Sequence, residues 1–308
     1  MNAILAALMF VVAQLSTTVP GSWTTGTPMP VARSEDSVAA IGNHIFVVGG
    51  YAQGTVDSAR CDVYDASSST WSRCANLPRG LNHVGVTAYN GKLYTFGGFI
   101  AQNRDPVTDA NVYDPATNSW SSIAPLPHAL GSISVAVLDG KIHLVGGRDV
   151  HSVATHLVYD PSTNSYTNAA PIPVGRDHMG MVAYKNRLYA FGGRIDTPAD
   201  NVKDCHRYDP SVDRWTVCAA MLSKRSGMAV AVLDNMIFAI GGEYVGGVFP
   251  NNEAYDPQHD TWHSYAPLPH GGRHGTGAAA VGDRIYLPAG APVPGGSRQS
   301  NTLFEFTP

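Results

Sequence analysis

Three observations in this chain of 308 residues predict an all-β fold whose six similar sheets form a closed ring, a six-bladed β-propeller. Paired glycines follow a short apolar run at intervals of 46–49 residues, and a repeat of this length is typical of propellers and other repeat architectures. A tyrosine follows the glycines, and a second aromatic residue follows that tyrosine by seven positions. The chain also contains 32 glycines and 21 prolines, which indicates frequent turns.

The repeat is visible in three registers. The paired glycines end the runs IFVVGG (45–50), LYTFGG (93–98), IHLVGG (142–147), LYAFGG (188–193), IFAIGG (237–242) and an altered copy, IYLPAG (285–290). The next register holds Tyr64, Tyr113, Tyr159, Tyr208, Tyr255 and Phe306. The second aromatic residue is Trp71, Trp120, Tyr166, Trp215 or Trp262 in the first five copies. In the sixth copy the chain ends before this register is reached.

The N-terminal segment SWTTGTPMP (22–30) supplies what the sixth copy lacks. Trp23 matches the second aromatic register, and Pro30 follows it by seven residues, as proline does in most other copies. We therefore expect this segment to form the outermost strand of the last blade. Such closure would hide sheet edges that otherwise promote aggregation. The propeller is then expected to span residues 21–308.

Each repeat predicts four short antiparallel strands and almost no helix. In the fourth copy, residues 178–184 form the innermost strand, 188–193 the second, 205–210 the third and 215–220 the outermost. The paired glycines permit positive φ where the blades converge, and the aromatic residues supply buried area between blades.

Six copies in register, most of which carry paired glycines, then Tyr-Asp-Pro, then tryptophan, resemble the Kelch repeat over nearly all of residues 22–308. The resemblance extends to exported bacterial-type Kelch proteins and to the Kelch domains of ubiquitin-ligase adaptors. It implies a six-bladed propeller that acts as a binding module. The Kelch domains of the adaptors use arginines at the channel mouth to bind acidic peptide motifs, and the resemblance implies the same role for arginines at these positions here.

Residues 1–20 predict a candidate signal peptide outside the propeller. The apolar run AILAALMFVVAQL (3–15) is too short to span a bilayer but suits the core of a secretory signal, although no Lys or Arg precedes it. A secreted or periplasmic monomer without a membrane span is therefore expected. The net charge of −4 argues against nucleic-acid binding.

The four cysteines form two pairs with identical spacing: Cys61 and Cys74, and Cys205 and Cys218. Each pair brackets its tyrosine and tryptophan symmetrically, three residues before the first and three after the second. If those aromatic residues face each other across a hairpin, the cysteines do so as well, within reach of a disulfide. Two disulfides are therefore predicted, which favours an oxidising compartment. The alternative is two pairs of buried thiols, and a zinc site fits the spacing poorly.

Three positions in each repeat are expected to line one mouth of the central channel, because propeller loops usually carry function. They precede the innermost strand, lie two residues further on, and follow the paired glycines. The candidate binding residues are Arg33, Glu35, Tyr51, His83, Phe99, Arg148, Arg176, His178, Arg194, Arg225, Glu243 and Arg273. Six arginines predict a basic mouth for an acidic peptide or protein, or for an anionic, carboxylated glycan. The alternative is that these arginines tie adjacent blades together by bonding backbone carbonyls.

An enzymatic alternative comes from the same resemblance. Kelch proteins include a sialic-acid mutarotase whose proposed acid/base pair is a glutamate after the glycines and an arginine six residues later. Here Glu243 holds the first place but Phe249 the second, so Arg194 or Arg225 would have to substitute in space. Glu35 is the other candidate carboxylate. No cofactor or metal is expected, and the segment His270–His274 is interpreted as a flexible connection between blades.

Overall fold

A computed structural model describes residues 19–308, which form six four-stranded antiparallel sheets around a central channel. The candidate signal peptide falls almost entirely outside the described residues. Within residues 19–308 the only helical element is one 3₁₀ turn, Pro269–Gly271, and no helix there is long and apolar enough to cross a membrane. The predicted all-β, six-bladed propeller is therefore confirmed.

The strands of each blade are given from the channel outward. Blade 1 contains Ser37–Ile41, His44–Val48, Cys61–Asp65 and Thr70–Cys74. Blade 2 contains Gly85–Tyr89, Lys92–Phe96, Ala110–Asp114 and Ser119–Ser122. Blade 3 contains Ser134–Leu138, Lys141–Val145, His156–Asp160 and Ser165–Asn168. Blade 4 contains Gly180–Tyr184, Arg187–Phe191, Cys205–Asp209 and Arg214–Cys218. Blade 5 contains Ala229–Leu233, Met236–Ile240, Asn252–Asp256 and Thr261–Tyr265. Blade 6 contains Ala279–Val281, Arg284–Pro288, Leu303–Thr307 and Ser22–Thr25.

Short two-stranded hairpins extend from four blades between the second and third strands. They pair Tyr51–Ala52 with Val56–Asp57, Phe99–Ile100 with Asp105–Pro106, Arg194–Ile195 with Thr197–Asn201, and Glu243–Tyr244 with Gly247–Val248. Each hairpin begins directly after the paired glycines, at the mouth of the channel.

The N-terminal strand closes the ring as predicted. Ser22–Thr25 pairs with Leu303–Thr307, and Trp23 lies opposite Phe306 with their ring centroids 4.9 Å apart. The indole Nε1 of Trp23 donates a hydrogen bond to the carbonyl of Ala266 in blade 5, at 2.7 Å. Blade 6 is thus built from both ends of the propeller sequence and is fastened to its neighbour.

The same tie joins every pair of adjacent blades. In each blade the outermost aromatic side chain donates to a backbone carbonyl of the preceding blade, at 2.7–2.9 Å. The donors are Trp23, Trp71, Trp120, Tyr166, Trp215 and Trp262. The repeated aromatic residue therefore does more than fill space, because it also satisfies a carbonyl at each blade junction.

Apolar side chains fill the space between neighbouring blades. Between blades 5 and 6, Phe238, Ile240, Leu287, Phe304 and Phe306 are each at most 1% exposed and belong to one cluster. Full burial of such a side chain contributes about 1.5–3 kcal/mol, so each blade interface is a substantial core in its own right.

Both predicted disulfides are present. Cys61 lies opposite Cys74, and Cys205 opposite Cys218, with Cα–Cα distances of 5.2 and 5.0 Å. Each bond joins the third and outermost strands of one blade. None of the four cysteines is a free thiol, so the alternative of buried reduced pairs does not hold.

A buried pair of histidines lies between blades 3 and 4. The Nδ1 of His143 is 2.9 Å from the Nε2 of His156, whose own Nδ1 is 2.9 Å from the carbonyl of Ala170. His156 therefore donates through Nδ1 and accepts through Nε2. Burial, aided by the nearby His156 and Lys141, lowers the pKa of His143 to about 4.

We predict that Trp23→Ala destabilises the protein by about 3 kcal/mol, because it removes a large interblade side chain and the bond to Ala266. Trp23→Phe should keep most of the packing and cost about 1 kcal/mol for the lost hydrogen bond. Denaturant unfolding measures both values. Val217→Ala, at a side chain 79% exposed on the outermost strand of blade 4, is the control and should be neutral. Equal stability of Trp23→Ala and wild type would contradict the closure.

We also predict that stability falls as pH drops from 7.5 to 5. Below the ordinary histidine pKa of about 6.5, His143 binds a proton in the unfolded chain but not in the folded protein, so lower pH favours unfolding. This residue alone should account for roughly 2 kcal/mol over that range. His143→Asn, which stays neutral, should give a shallower pH dependence of the free energy of unfolding. An unchanged slope would show that His143 does not carry the effect.

Candidate functional site

Six residues at equivalent positions form a ring at the innermost point of the propeller. All six have positive φ, between 51° and 64°. We call them the inner ring: Glu35, His83, Ser132, His178, Gly227 and Gly275. Five backbone N–H groups of the ring donate to the carbonyl of the ring residue in a neighbouring blade, at 2.5–3.1 Å. The left-handed conformation is unusual for a residue with a side chain, and such residues concentrate at functional sites.

The inner ring separates two open spaces. Below it lies the channel between the innermost strands, lined largely by small apolar side chains such as Ala40 and Ala88. Above it lies a cavity of about 540 Å³, enclosed by the loop hairpins, which we call the mouth cavity. Glu35, His83 and His178 line both spaces and therefore form the floor of the mouth cavity.

Glu35 is a buried carboxylate beside a histidine. Its Oε2 lies 3.0 Å from the Nε2 of His83. Burial alone would raise the pKa of Glu35, but the charges of His83 and His274 and the hydrogen bond from His83 outweigh burial and hold that pKa well below its ordinary range. A Cβ on Gly275 would lie 2.7 Å from this carboxyl group, so glycine at that position makes room for it.

Arg194 connects the rest of the floor. Its Nη1 lies 2.6 Å from Oε1 of Glu243, its Nε 3.0 Å from Oδ1 of Asp177, and its Nη2 3.0 Å from Nε2 of His178. His178 also bonds through Nδ1 to Asp177. Burial and the charge of Arg194 lower the pKa of His178 to about 4 in spite of Asp177, so this imidazole is neutral at pH 7 and accepts from Arg194.

His274 completes the cluster from blade 6. Its Nδ1 lies 3.7 Å from Oε1 of Glu35 and 3.6 Å from Oε2 of Glu243, and its side chain is 1% exposed. The interpretation of residues 270–274 as a flexible connection is therefore wrong at His274, which is buried and faces two carboxylates.

The structure brings six of the twelve predicted binding residues to the mouth cavity: Glu35, Tyr51, His83, His178, Arg194 and Glu243. Phe99 and Arg148 lie one layer behind. Phe99 is fully buried with its ring 5.8 Å from that of His83, and the guanidinium of Arg148 lies 5.4 Å from the Phe99 ring.

The other four arginines do not line the cavity. Arg33, Arg176 and Arg225 are fully buried and Arg273 is 7% exposed. Each turns into its own blade. Arg33 bonds Asp62 at 2.8 Å and two carbonyls, Arg176 and Arg225 bond the carbonyls of Ala190 and Ala239, and Arg273 packs on the Phe304 ring.

The predicted basic mouth is thus corrected to a mixed cluster in which, within residues 19–308, Arg194 is the one arginine lining the cavity. The buried arginines fit better with the alternative prediction, in which they tie adjacent blades together. Their side chains contact their own blade, however, and it is their backbone that bonds the adjacent blade. The second of the paired glycines donates to the carbonyl of Arg176, Arg225 or Arg273 in the following blade, at 2.8–3.0 Å.

Three further site residues, two of them missed by the sequence analysis and the third, His274, misinterpreted there, share one register directly before the inner ring. Asn82 and Asp177 bond the Nδ1 atoms of His83 and His178, and His274 faces the carboxylates. This position pairs with the residue that follows the glycines, as in Asp177 with Arg194 and His274 with Ala291. Extending the repeat alignment by one position would have found all three.

These features define a six-bladed propeller with a polar, partly buried cluster at one mouth of its channel. Comparison with family models gives the family. The model for the KLHDC2/KLHL20/DRC7 Kelch-repeats domain matches residues 8–172, and the Kelch motif matches residues 175–222 and 224–269. The chain therefore belongs to the Kelch-repeat family.

Individual relatives match only a part of the chain. An F-box/kelch-repeat protein of Arabidopsis thaliana is 34% identical over 77 residues, which is 25% of this chain and 20% of that protein. Kelch-like protein 38 of Homo sapiens is 36% identical over 76 residues, 25% of this chain and 13% of that protein. Kelch-like protein terF of Aspergillus terreus is 33% identical over 100 residues, 28% and 20% of the two chains. The chain thus spans a fifth or less of these relatives.

Among solved structures, that of YjhT is similar, with a TM-score of 0.79 and 16% identity over 90% of this chain and 95% of that one. At this identity the likeness shows the fold alone.

Proposed function

We propose that this Kelch propeller is a binding module whose ligand is a small carbohydrate held in the mouth cavity. The observation that carries the proposal is the floor itself, where two carboxylates, Glu35 and Glu243, are fixed by buried histidines and Arg194 below a cavity of about 540 Å³. Ligand pockets of this volume are common, and sugar hydroxyl groups pair well with carboxylate, imidazole and amide groups.

The cavity walls favour the same ligand class. They present hydrogen-bonding side chains, Thr55, Gln102, Asn103 and Thr197, together with the half-exposed ring of Tyr244. An aromatic face beside polar groups offers a surface for the apolar face of a sugar ring.

An acidic peptide is favoured less than a sugar. Arg194 is already paired with Glu243 and Asp177, and the other candidate arginines lie outside the cavity. A carboxylated glycan would have to compete with Glu243 for the guanidinium and would face the charge of Glu35. The cost of breaking a buried ion pair, about 3–5 kcal/mol, favours a ligand that uses hydroxyl groups.

Proton transfer on a bound sugar is the second candidate function. Glu243 lies 2.6 Å from Arg194, so an arginine from another blade stands beside the carboxylate in place of Phe249, while Arg225 is engaged with Glu253 at 3.2 Å. Glu35 has a comparable partner in His83. A carboxylate beside a proton-carrying group supports general acid/base catalysis, such as interconversion of sugar anomers.

The test is saturation-transfer NMR with neutral hexoses, a uronic acid, sialic acid and an Asp/Glu-rich peptide. We predict transfer to at least one sugar and at least roughly tenfold weaker binding for Glu243→Gln and Tyr244→Ala, from lost charged hydrogen bonding and ring contact. Tyr184→Ala, at the end of the innermost strand of blade 4 that is farther from His178, is the matched control and should bind normally.

The same spectra separate the two functions, because they also record anomer signals. Faster equilibration that Glu243→Gln abolishes supports catalysis, whereas binding without acceleration supports the module alone. Binding of the peptide but of no sugar, or sugar binding that both cavity variants leave unchanged, would refute the carbohydrate proposal.

We infer that the protein is exported through the apolar N-terminal region. Two disulfides use all four cysteines, and such bonds persist in oxidising compartments such as the periplasm or the extracellular space. The apolar run at residues 3–15 is the feature that would direct export.

This inference predicts that the full chain, expressed in a bacterial host, is recovered outside the cytoplasm with its first ~20 residues removed. Thiol alkylation followed by mass measurement should label no cysteine before reduction and all four afterwards. A Leu5→Arg/Phe10→Arg variant should stay in the cytoplasm. Recovery of uncleaved wild-type protein in the cytoplasm, with reactive thiols, would overturn export.

A further inference from the structure

We propose that Glu35, His83 and His178 bind one divalent transition-metal ion at the floor of the mouth cavity, with His274 as a fourth donor. The proposal goes beyond the expectation from sequence that no metal site is present. It is argued from the donor atoms themselves and does not depend on the ligand proposed above.

The donor set has the chemistry and size of a metal site. One oxygen of Glu35 and one ring nitrogen each of His83 and His178 all lie within 4.8 Å of one another. Metal–ligand bonds of about 2.0–2.2 Å require donors no more than about 4 Å apart, so only slight contraction is needed. Two imidazoles and one carboxylate suit Zn²⁺ and Fe²⁺, and the same donors also bind other late first-row transition-metal ions.

The outer shell orients both imidazoles for binding. The Nδ1 of His83 bonds to Oδ1 of Asn82, and the Nδ1 of His178 bonds to Oδ1 of Asp177. These acceptors keep a proton on Nδ1 and direct Nε2 of each ring at the floor, where Nε2 of His83 would exchange the proton that it shares with Glu35 for the metal ion. Fixing a ligand imidazole through its second nitrogen is the usual support of a metal site.

His274 supplies an independent sign that a cation belongs here. Its Nε2 donates to the carbonyl of Val293 at 2.8 Å, so Nδ1 is the ring nitrogen that faces the floor of the mouth cavity. That Nδ1 has no hydrogen-bond partner within residues 19–308, although the side chain is 1% exposed. It faces Glu35 and Glu243 at 3.7 and 3.6 Å, distances too long for hydrogen bonds. A divalent cation taken up by this nitrogen in exchange for a proton would give the buried Nδ1 a partner and offset the negative charge of the two carboxylates.

Arg194 is compatible with this site after one exchange. Its Nη2 contacts the Nε2 of His178 at 3.0 Å, and the metal would replace that contact. The guanidinium would remain anchored to Glu243 and Asp177 through Nη1 and Nε. The inner-ring backbone keeps the three main donors in place, and the mouth cavity above them leaves coordination positions open to a ligand, as in catalytic rather than structural sites.

The test is calorimetric titration of the chelator-treated full chain with Zn²⁺, together with visible absorption of the Co²⁺-loaded protein. We predict one ion per chain, a Co²⁺ spectrum typical of nitrogen and oxygen donors, and a rise in Tm on metal addition. Glu35→Gln, His178→Ala and His274→Ala should each weaken Zn²⁺ binding by at least about tenfold, since outer-shell changes alone cost 10–100-fold.

His151→Ala is the matched control, because His151 is 76% exposed and lies on the rim beside Asp196. It should bind Zn²⁺ as the wild type does. Circular dichroism checks folding, and Glu35→Gln preserves side-chain shape if the histidine variants unfold. No Zn²⁺ binding by the wild type, or binding unaffected by these three variants, would overturn the site. Sugar binding is measured in excess chelator, so that no metal is bound. The carbohydrate proposal is thereby tested separately, and a failure of the metal proposal does not affect it.

Discussion

The structure depends on the backbone ring at the centre of the propeller. Residues at six equivalent positions adopt the left-handed conformation, and five hydrogen bonds link them from blade to blade. Four of the six carry side chains, and each such residue costs about 1–3 kcal/mol in backbone strain. The surrounding blades hold this conformation in place, and it directs Glu35, His83 and His178 toward one point. The geometry of the candidate site is therefore a property of the ring.

A second ring of contacts lies at the outer surface. The six outermost aromatic side chains each donate to the neighbouring blade, and their ring systems pack against the repeated tyrosines at about 5 Å, as in Trp71 with Tyr64. The blades are thus joined at their innermost and outermost strands by different groups: backbone at the centre, indole and phenol at the rim. The loop hairpins lie outside both rings: Arg194 and Glu243 at their bases belong to the floor, whereas residues nearer the hairpin tips, such as Thr55 and Thr197, form the walls of the mouth cavity.

Features that repeat from blade to blade could be predicted from the sequence, whereas the orientation of individual side chains could not. Blade number, closure by Trp23 and both disulfides follow from registers, because antiparallel pairing fixes which residues face each other. The arginines two positions before the inner ring lie close to the channel mouth in sequence, and this position predicted that they line it. Instead, Arg33 and Arg225 form ion pairs with Asp62 and Glu253 in their own blades. His274 was misinterpreted as part of a flexible connection because its environment depends on two carboxylates from blades 1 and 5, which no local sequence pattern connects.

Closure of the ring by Trp23 has a consequence for how the protein folds. Its hydrogen bond to Ala266 joins residues 243 positions apart, whereas the contacts within blades 1 to 5 are between near neighbours in sequence. Long-range pairings form slowly, because the entropy of closing a large loop must be overcome first. Five blades can assemble while the chain is still being synthesised, and the sixth must wait for the C-terminal strands. The last step of folding is therefore also the one that joins the two ends of the ring.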